Sequence, residues 1–390
     1  MLTWARQRYH MFRLPAAARR QARADRAGPS SADPGPQAAI AAAAAWLARA
    51  QDRTASGDDG VARHVSLIDG WATSYPETTG YIVPTLIAVA DHLGVDAYRD
   101  RARRMLDWLV SIQLDDGGFQ GGKIDAKPVV PVTFNTGQIL LGLAAGVATF
   151  GQAYGEAMHA AARFLRDSLD ADGCWRSHPT PFAGPGDKAY ETHVAWGLFE
   201  AERVAPGDGY GEAGLRQVAW AIGRQQPNGW VADCCLTDPE RPLTHTLGYY
   251  LKGLVEAHRL SGDGDILAAA RRTADGLLTA QRPDGALPGQ LASDWTPAAR
   301  WSCLTGNVQI ADAWFYLSNQ TGETRYQAAG QAATAYVRRT MDLDGPEDVR
   351  GGVKGSFPVD GGYGTFEYLN WAAKFTIDAC LTELKLPASG

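Results

Sequence analysis

Six short segments carry the side chains that could do chemistry. They are YPETTGYIVPTL (75–86), TFNTGQILLGL (133–143), YETHVAWGL (190–198), LTHTLGYYLKGL (243–254), CLTGNVQIADAWF (303–315) and TFEYLNWAAKF (365–375). The catalytic candidates in and around them are Glu77, Tyr81, Glu191, His193, His245 and Glu367. Tyr75, Thr79, Asn135, Tyr190, Tyr249, Arg300, Trp301, Gln309, Tyr368, Asn370 and Trp371 are candidates for holding a substrate. Carboxylates, phenols, imidazoles and flat rings in one place suit a polyhydroxylated ligand, which stacks on rings and shares hydroxyl hydrogen bonds. Two carboxylates facing one bond would cleave a glycoside. A Tyr or His base, with neutral or cationic donors to hold a uronate carboxylate, would remove the proton beside that carboxylate. Plainer roles compete: a recurring Thr can cap a helix, an early Glu can answer the helix dipole, and a buried His can be a hydrogen-bonded core residue.

These segments recur because the whole chain repeats. QLDDGGF ends at Phe119, SLDADGCW at Trp175, RQQPNGW at Trp230 and AQRPDGAL at Leu287, at intervals of 56, 55 and 57 residues. One step back reaches AQDRTASGDDGV at Val61, and one step forward the glycines of DVRGGVKGSF near 353, making six units. In each unit a helical run ends in Gln-x-x-Asp-Gly or a close variant, whose Asp and Gly suit a tight turn with a left-handed residue. A loop follows, then a more apolar run that opens on one of the six segments. The threonines at 79, 136, 192, 246 and 305 hold one register, and Leu369 takes the sixth place. Runs such as DAYRDRARRMLDWLVSIQ (96–113) are amphipathic and belong outside, whereas GQILLGLAAGVATF (137–150) is apolar nearly all round and belongs inside. The expected fold is an all-α (α/α)6 toroid over 37–386, in which six inner-helix N-termini gather round one mouth. Glu77 and Glu367 then fall on neighbouring inner helices once the ring closes, with Glu191 as a third carboxylate.

Gln-x-x-x-Gly-aromatic repeats at helix–turn junctions resemble those of the α/α-toroid superfamily of terpenoid cyclases and protein prenyltransferases. The same architecture resembles six-hairpin glycosidases, polysaccharide lyases and glucuronyl C5-epimerase-like proteins. The resemblance covers about 37–386 and implies the fold more strongly than any reaction. For the sugar branch it implies a glycan substrate, uronate-containing, handled by lyase, epimerase or hydrolase chemistry without a cofactor. For the isoprenoid branch, HTLGYYLKGL (245–254) is similar to a prenyltransferase stretch whose His binds zinc, and Asp233, Cys235 and His245 offer a zinc set. Asp-x-Cys lies in the same loop here, a full repeat later than in that family. No Asp-x-Asp-Asp, Asp-Asp-x-x-Asp, P-loop or dinucleotide fingerprint occurs. A non-catalytic glycan-binding scaffold is the third reading.

Composition bounds the rest. The chain has 390 residues and a net charge of -6, which argues against a nucleic-acid partner. Five cysteines, two of them adjacent, do not make a disulfide framework and point to the cytoplasm. No run is long and apolar enough for a membrane span. The first 26 residues hold seven arginines and one acid, with no apolar stretch of a signal peptide. Residues 1–36 therefore read as a disordered basic arm and linker, with weak contact to an anionic membrane surface as its one expected partner.

Overall fold

The computed structural model describes residues 14–386. Among these residues are 13 α-helices. Helix α1 (Ala16–Asp25) stands apart from the ring. Then outer and inner helices alternate: α2 (Pro36–Asp52), α3 (Pro76–Leu93), α4 (Ala97–Ser111), α5 (Thr133–Phe150), α6 (Gly155–Asp167), α7 (Thr192–Val204), α8 (Tyr210–Ile222), α9 (Thr244–Ser261), α10 (Gly264–Ala280), α11 (Leu304–Thr321), α12 (Thr324–Arg338) and α13 (Asn370–Glu383). Each inner helix packs on the next, and α13 packs on α3, so the inner ring is closed. The expected (α/α)6 toroid is what the chain forms.

The tight hairpins run from an inner helix to the outer helix that follows it. Their short turns begin at left-handed glycines such as Gly94, Gly262 and Gly322. Among the described residues the first outer helix has no inner helix before it. It packs instead against α13, the last inner helix. The sixth hairpin is thus assembled from the two ends of the chain, and that pairing shuts the ring.

The periodic pattern explains which helices face where. Outer α4 buries Ala102, Met105, Leu106 and Leu109, one stripe at helical spacing. Each such Leu or Met contributes about 1.5–3 kcal/mol by leaving water. Inner α5 is buried on nearly every face from Thr133 to Ala144. Glycine lets such helices touch: a Cβ on Gly197 would lie 2.4 Å from the carbonyl oxygen of Gly137.

The repeated turn motif is the lateral joint between units. Gln113 Nε2 donates to the Gly117 carbonyl in its own turn and to the Ala157 carbonyl in the next outer helix, at 2.9 and 3.0 Å. Gln281 repeats this with Gly285 and Ala329. Gly117 has φ +87°, and a Cβ there would meet the Ala160 carbonyl oxygen at 2.5 Å. Gly351 makes the same approach to Ala42 of α2, across the seam where the chain ends meet.

Two of the recurring threonines, Thr79 and Thr136, are clamps rather than caps. None of the six residues that precede the inner helices makes a side-chain cap. Thr79 Oγ1 instead accepts from Val61 N–H at 3.0 Å and donates to the Tyr75 carbonyl at 2.9 Å. Thr136 does the same with Phe119 N–H and Val132. In the fifth unit Asn307, two places beyond Thr305, accepts from Leu287 N–H. Each clamp ties the end of a turn motif to the start of the inner helix that follows.

Two small antiparallel ladders also form, where the sequence gives no strand signal. Strands β1 (His64–Ser66), β2 (Gly70–Trp71) and β5 (Glu367–Leu369) pair in the order β2-β1-β5. Strand β3 (Ser302–Cys303) pairs with β4 (Ser356–Phe357). The β1–β5 pairing joins the first and sixth long loops across the seam. Part of the basic arm also differs from its composition. Residues 1–13 lie outside the described residues, but α1 is a helix that buries Ala18, Ala22 and Asp25. No helix among the described residues is long and apolar enough to cross a membrane.

Candidate active site

The long loops and the inner-helix starts enclose a cavity of about 470 Å³ at the expected mouth. Tyr75 and Glu77 enter from the start of α3, Phe134 from α5, Tyr190 from just before α7, and His245, Thr246 and Tyr249 from α9. Tyr363 and Trp371 come from the sixth unit, where Trp371 Nε1 donates to the Tyr363 hydroxyl at 3.0 Å. Arg63, His64, Lys123, Thr180, Phe182 and Leu236 complete the wall from the long loops.

Glu77 is the one carboxylate in this lining. Burial pushes its carboxyl up to about 7, against the opposing pull of the Tyr75 hydroxyl and the Arg63 guanidinium. It is therefore largely protonated below neutrality. Burial also raises the phenols of Tyr75, Tyr81, Tyr249 and Tyr363, and the nearby Glu77 charge adds to each. They remain neutral donors.

His245 has the opposite character. Burial lowers it to about 4, so its ring is neutral at neutral pH. Its Nδ1–H donates to Gln309 Oε1 at 2.7 Å, which leaves the lone pair on Nε2. Its ring lies 4.2 Å from that of Tyr249 and 5.3 Å from that of Tyr363, both cavity residues. Gln309, expected to bind substrate, thus orients the imidazole.

The remaining candidates lie behind or beside the wall. His193 is fully buried, donates to Gln138 Oε1 at 2.6 Å, and its ring lies tilted 4.4 Å from that of Tyr249. Its Nε2 has no protein partner. Tyr81 packs against Phe375 in the floor. Glu191 is buried outside the lining, with burial lifting it to about 8. Glu367 does not face Glu77 across a bond. It sits on β5, where Arg63 Nη1 donates to it at 2.9 Å and His64 Nε2 stands 3.6 Å away. The strand pairing that joins the loops turns its carboxylate toward Arg63. Thr79 is consumed by its clamp. Asn370 donates to the Ala62 carbonyl and Thr78 Oγ1, and Asn135 is buried with Nδ2 unpartnered. Tyr368 is buried in the β1–β5 ladder, Arg300 is exposed, and Trp301 packs over Gly289 and Gly361. Asp233, Cys235 and His245 do not converge. Among the described residues no group of three or more His, Cys, Asp or Glu could hold a metal ion.

The loop residues were outside the reach of the repeat register. Arg63, His64, Lys123, Thr180, Phe182 and Leu236 occupy segments whose sequences share no pattern between units. Their only signal was position: each lies between a turn motif and the next inner helix.

Known structures share this architecture. An unsaturated glucuronyl hydrolase from Bacillus sp. GL1 superposes with a TM-score of 0.70 at 16% identity, covering 90% of this chain and 97% of that one. Cellobiose 2-epimerase from Bacillus thermoamylovorans gives 0.67 at 12% identity, with 86% and 95% covered. A D-mannose isomerase gives 0.70 at 13% identity, with 90% and 97% covered. The chain is an α/α toroid of the six-hairpin kind. All three of these proteins are named for sugars, so the isoprenoid side of the sequence resemblance gains nothing from them. No protein-family model and no curated protein matches the chain.

Proposed function

We propose that the protein is a carbohydrate-active enzyme that takes a uronate-bearing sugar into this cavity and moves a proton within it. Glu77 is the acid and His245 the base. The observation that carries this reading is the pairing of a protonated carboxyl and a neutral imidazole in one aromatic cavity. Proton transfer works best when donor and acceptor titrate near the working pH and hold opposite protonation states. Lys123 supplies positive charge for the substrate carboxylate from the cavity wall, beside the Arg63–Glu367 pair.

His245 Nε2 removes the proton from the ring carbon beside that carboxylate. The electron pair moves into the carboxylate, and the Glu77 O–H hydrogen-bonds the oxygen where charge grows. Return of a proton to the opposite face gives an epimer. Departure of the glycosidic oxygen from the adjacent ring carbon, which takes up a proton as its bond breaks, gives an unsaturated sugar. Hydrolysis by two facing carboxylates has less support, because Glu367 is engaged by Arg63. Hydrolysis of an already unsaturated uronide is the second reading, favoured by the shared fold of the unsaturated glucuronyl hydrolase.

The test is incubation with uronate oligosaccharides in heavy water. Deuterium at the carbon beside the carboxylate reports epimerisation. New ultraviolet absorbance reports elimination, and its loss from a pre-formed unsaturated end reports hydrolysis. Binding with none of the three would favour a glycan-binding scaffold and overturn the enzymatic reading. The cytoplasm is the proposed compartment, consistent with five buried, free cysteines. Contact of the arm with an anionic membrane stays a proposal that vesicle co-sedimentation would test.

A further inference from the structure

Helix α1 belongs to none of the six hairpins, yet it is built into the molecule. Asp25, in its last turn, is 4% exposed. One carboxylate oxygen accepts from Lys354 Nζ at 2.7 Å and the other from Val359 N–H at 2.8 Å. Lys354 is 3% exposed and also donates to the Thr340 carbonyl at 3.2 Å. Both charges are out of water, so each depends on the other. Ala18 and Ala22 pack with Val359 and Phe366 in a small apolar cluster separate from the main core, and Leu67 packs against it. Arg26 adds a bond to Asp360.

The residues held in this way belong to the loop that delivers Tyr363. Ser356 Oγ donates to the Tyr363 carbonyl at 2.6 Å and accepts from its N–H at 2.9 Å. Phe366 N–H donates to the Val359 carbonyl at 2.8 Å, and Phe366 itself sits at φ +62°, a strained conformation for a side chain of its size. Its carbonyl accepts from Leu67 N–H at 2.9 Å. Leu67 follows β1, the strand that begins next to Arg63 and includes His64. The loops under α1 are therefore the two that meet at the seam, and both feed the cavity.

We infer that α1 is a strap that positions the seam loops, with Asp25 as its buckle, so that Tyr363, Arg63 and His64 are held in place only while α1 is docked. A ring closed by the two chain ends has its weakest wall at their junction, and here that wall carries site residues. Asp25 is a positioning residue that acts through Lys354 and Val359. Its effect on turnover rests on the proposed acid–base reading of the cavity. Its effect on the loop does not.

The test compares the parent with Asp25→Ala and with the double variant Asp25→Leu/Lys354→Met, which removes both charges and keeps an apolar contact. Amide hydrogen exchange is followed by peptide, and turnover is measured on whichever uronate substrate the parent accepts. In Asp25→Ala, exchange across 355–368 should rise at least tenfold while that of α5, α7 and α9 stays at the parent level. The double variant should restore protection to within about threefold. kcat should fall tenfold or more in Asp25→Ala, with KM changed less, and should recover in the double variant. Unchanged exchange across 355–368, or a uniform rise over every inner helix, would overturn the strap. Altered loop exchange with unchanged kcat would keep the strap and count against the cavity as the reacting site.

Discussion

Two layers along the barrel axis bury ionisable groups, and they treat them in opposite ways. At the mouth, Glu77 and His245 are both neutral between about pH 4 and 7 because burial has moved their titration, up for the acid and down for the base. Roughly one to three helical turns deeper, the charges are kept and paired. Lys252 Nζ lies 2.7 Å from Asp312 and 2.9 Å from Glu256, and Lys374 pairs with Asp378. Burial alone would lower Lys252, but Asp312 and Glu256 outweigh it and hold it above its ordinary value. Aromatic rings divide the layers. Lys374 lies over Phe375 and Tyr81, and Lys252 over Trp196. The His193 ring packs against both Tyr249 and Trp196. A paired charge is satisfied and has little left to donate, whereas an unpaired neutral acid or base can still exchange its proton. In the proposed reading the lower layer is framework and the upper layer chemistry.

The largest expected effect separates them directly. Glu77→Gln should lower kcat/KM by about 10²–10⁴ with no loss of stability, since it removes a proton donor and leaves no unpaired charge. Asp312→Asn should do the reverse. It should destabilise by about 3–5 kcal/mol in urea unfolding, because Lys252 loses its nearest partner, with kcat of the folded fraction within a few-fold of parent. If Asp312→Asn abolished turnover in a fully folded protein, the division would fail.

A smaller effect concerns stability and pH. Glu77 and Glu191 both titrate higher folded than unfolded, so their stabilising share is full in acid and is lost as pH rises through about 7 and 8. Glu191→Gln should therefore raise stability by on the order of 3 kcal/mol at about pH 8 and change little near pH 4. Equal effects at both pH values would show that the carboxyl is ionised in the fold.

Next comes the rate profile. Turnover should rise with pH through about 4, where His245 loses its proton, and fall above about 7 as Glu77 ionises. Each pH unit beyond a limb should cost about tenfold. A profile lacking the upper limb would remove Glu77 as the acid. The smallest effect is at the rim. Phe182 is 57% exposed while lining the cavity. Phe182→Ala should raise KM for an oligosaccharide about threefold to tenfold, the worth of one ring contact, and leave kcat alone.

Much of the fold was legible because the repeat imposes it. Gln113 and Gln281, Gly117 and Gly351, and Thr79 and Thr136 recur in register because each does the same joining work in its own unit. The same regularity misled about Thr79, whose register marks a clamp rather than a substrate contact. Tyr75, Glu77, Tyr190, His245, Tyr249 and Trp371 were legible as a ring because inner-helix starts share one end of a barrel. Arg63, His64, Lys123 and Phe182 were not, because their loops follow no period. Glu367 was visible as an acid, but its partner Arg63 lies 304 residues away and meets it through strand pairing that no local pattern announces.

The sequence by itself determined six units, their inner and outer faces and the mouth where polar residues gather. Those depend on period and local spacing, and both are written along the chain. Only the tertiary structure decided which acid is protonated, which imidazole faces the cavity and which charges are paired. Those depend on burial and on neighbours brought from other units. The contrast is plain in two residues of similar sequence context. His193 and His245 both begin inner helices and both bond a glutamine, yet only His245 lines the cavity.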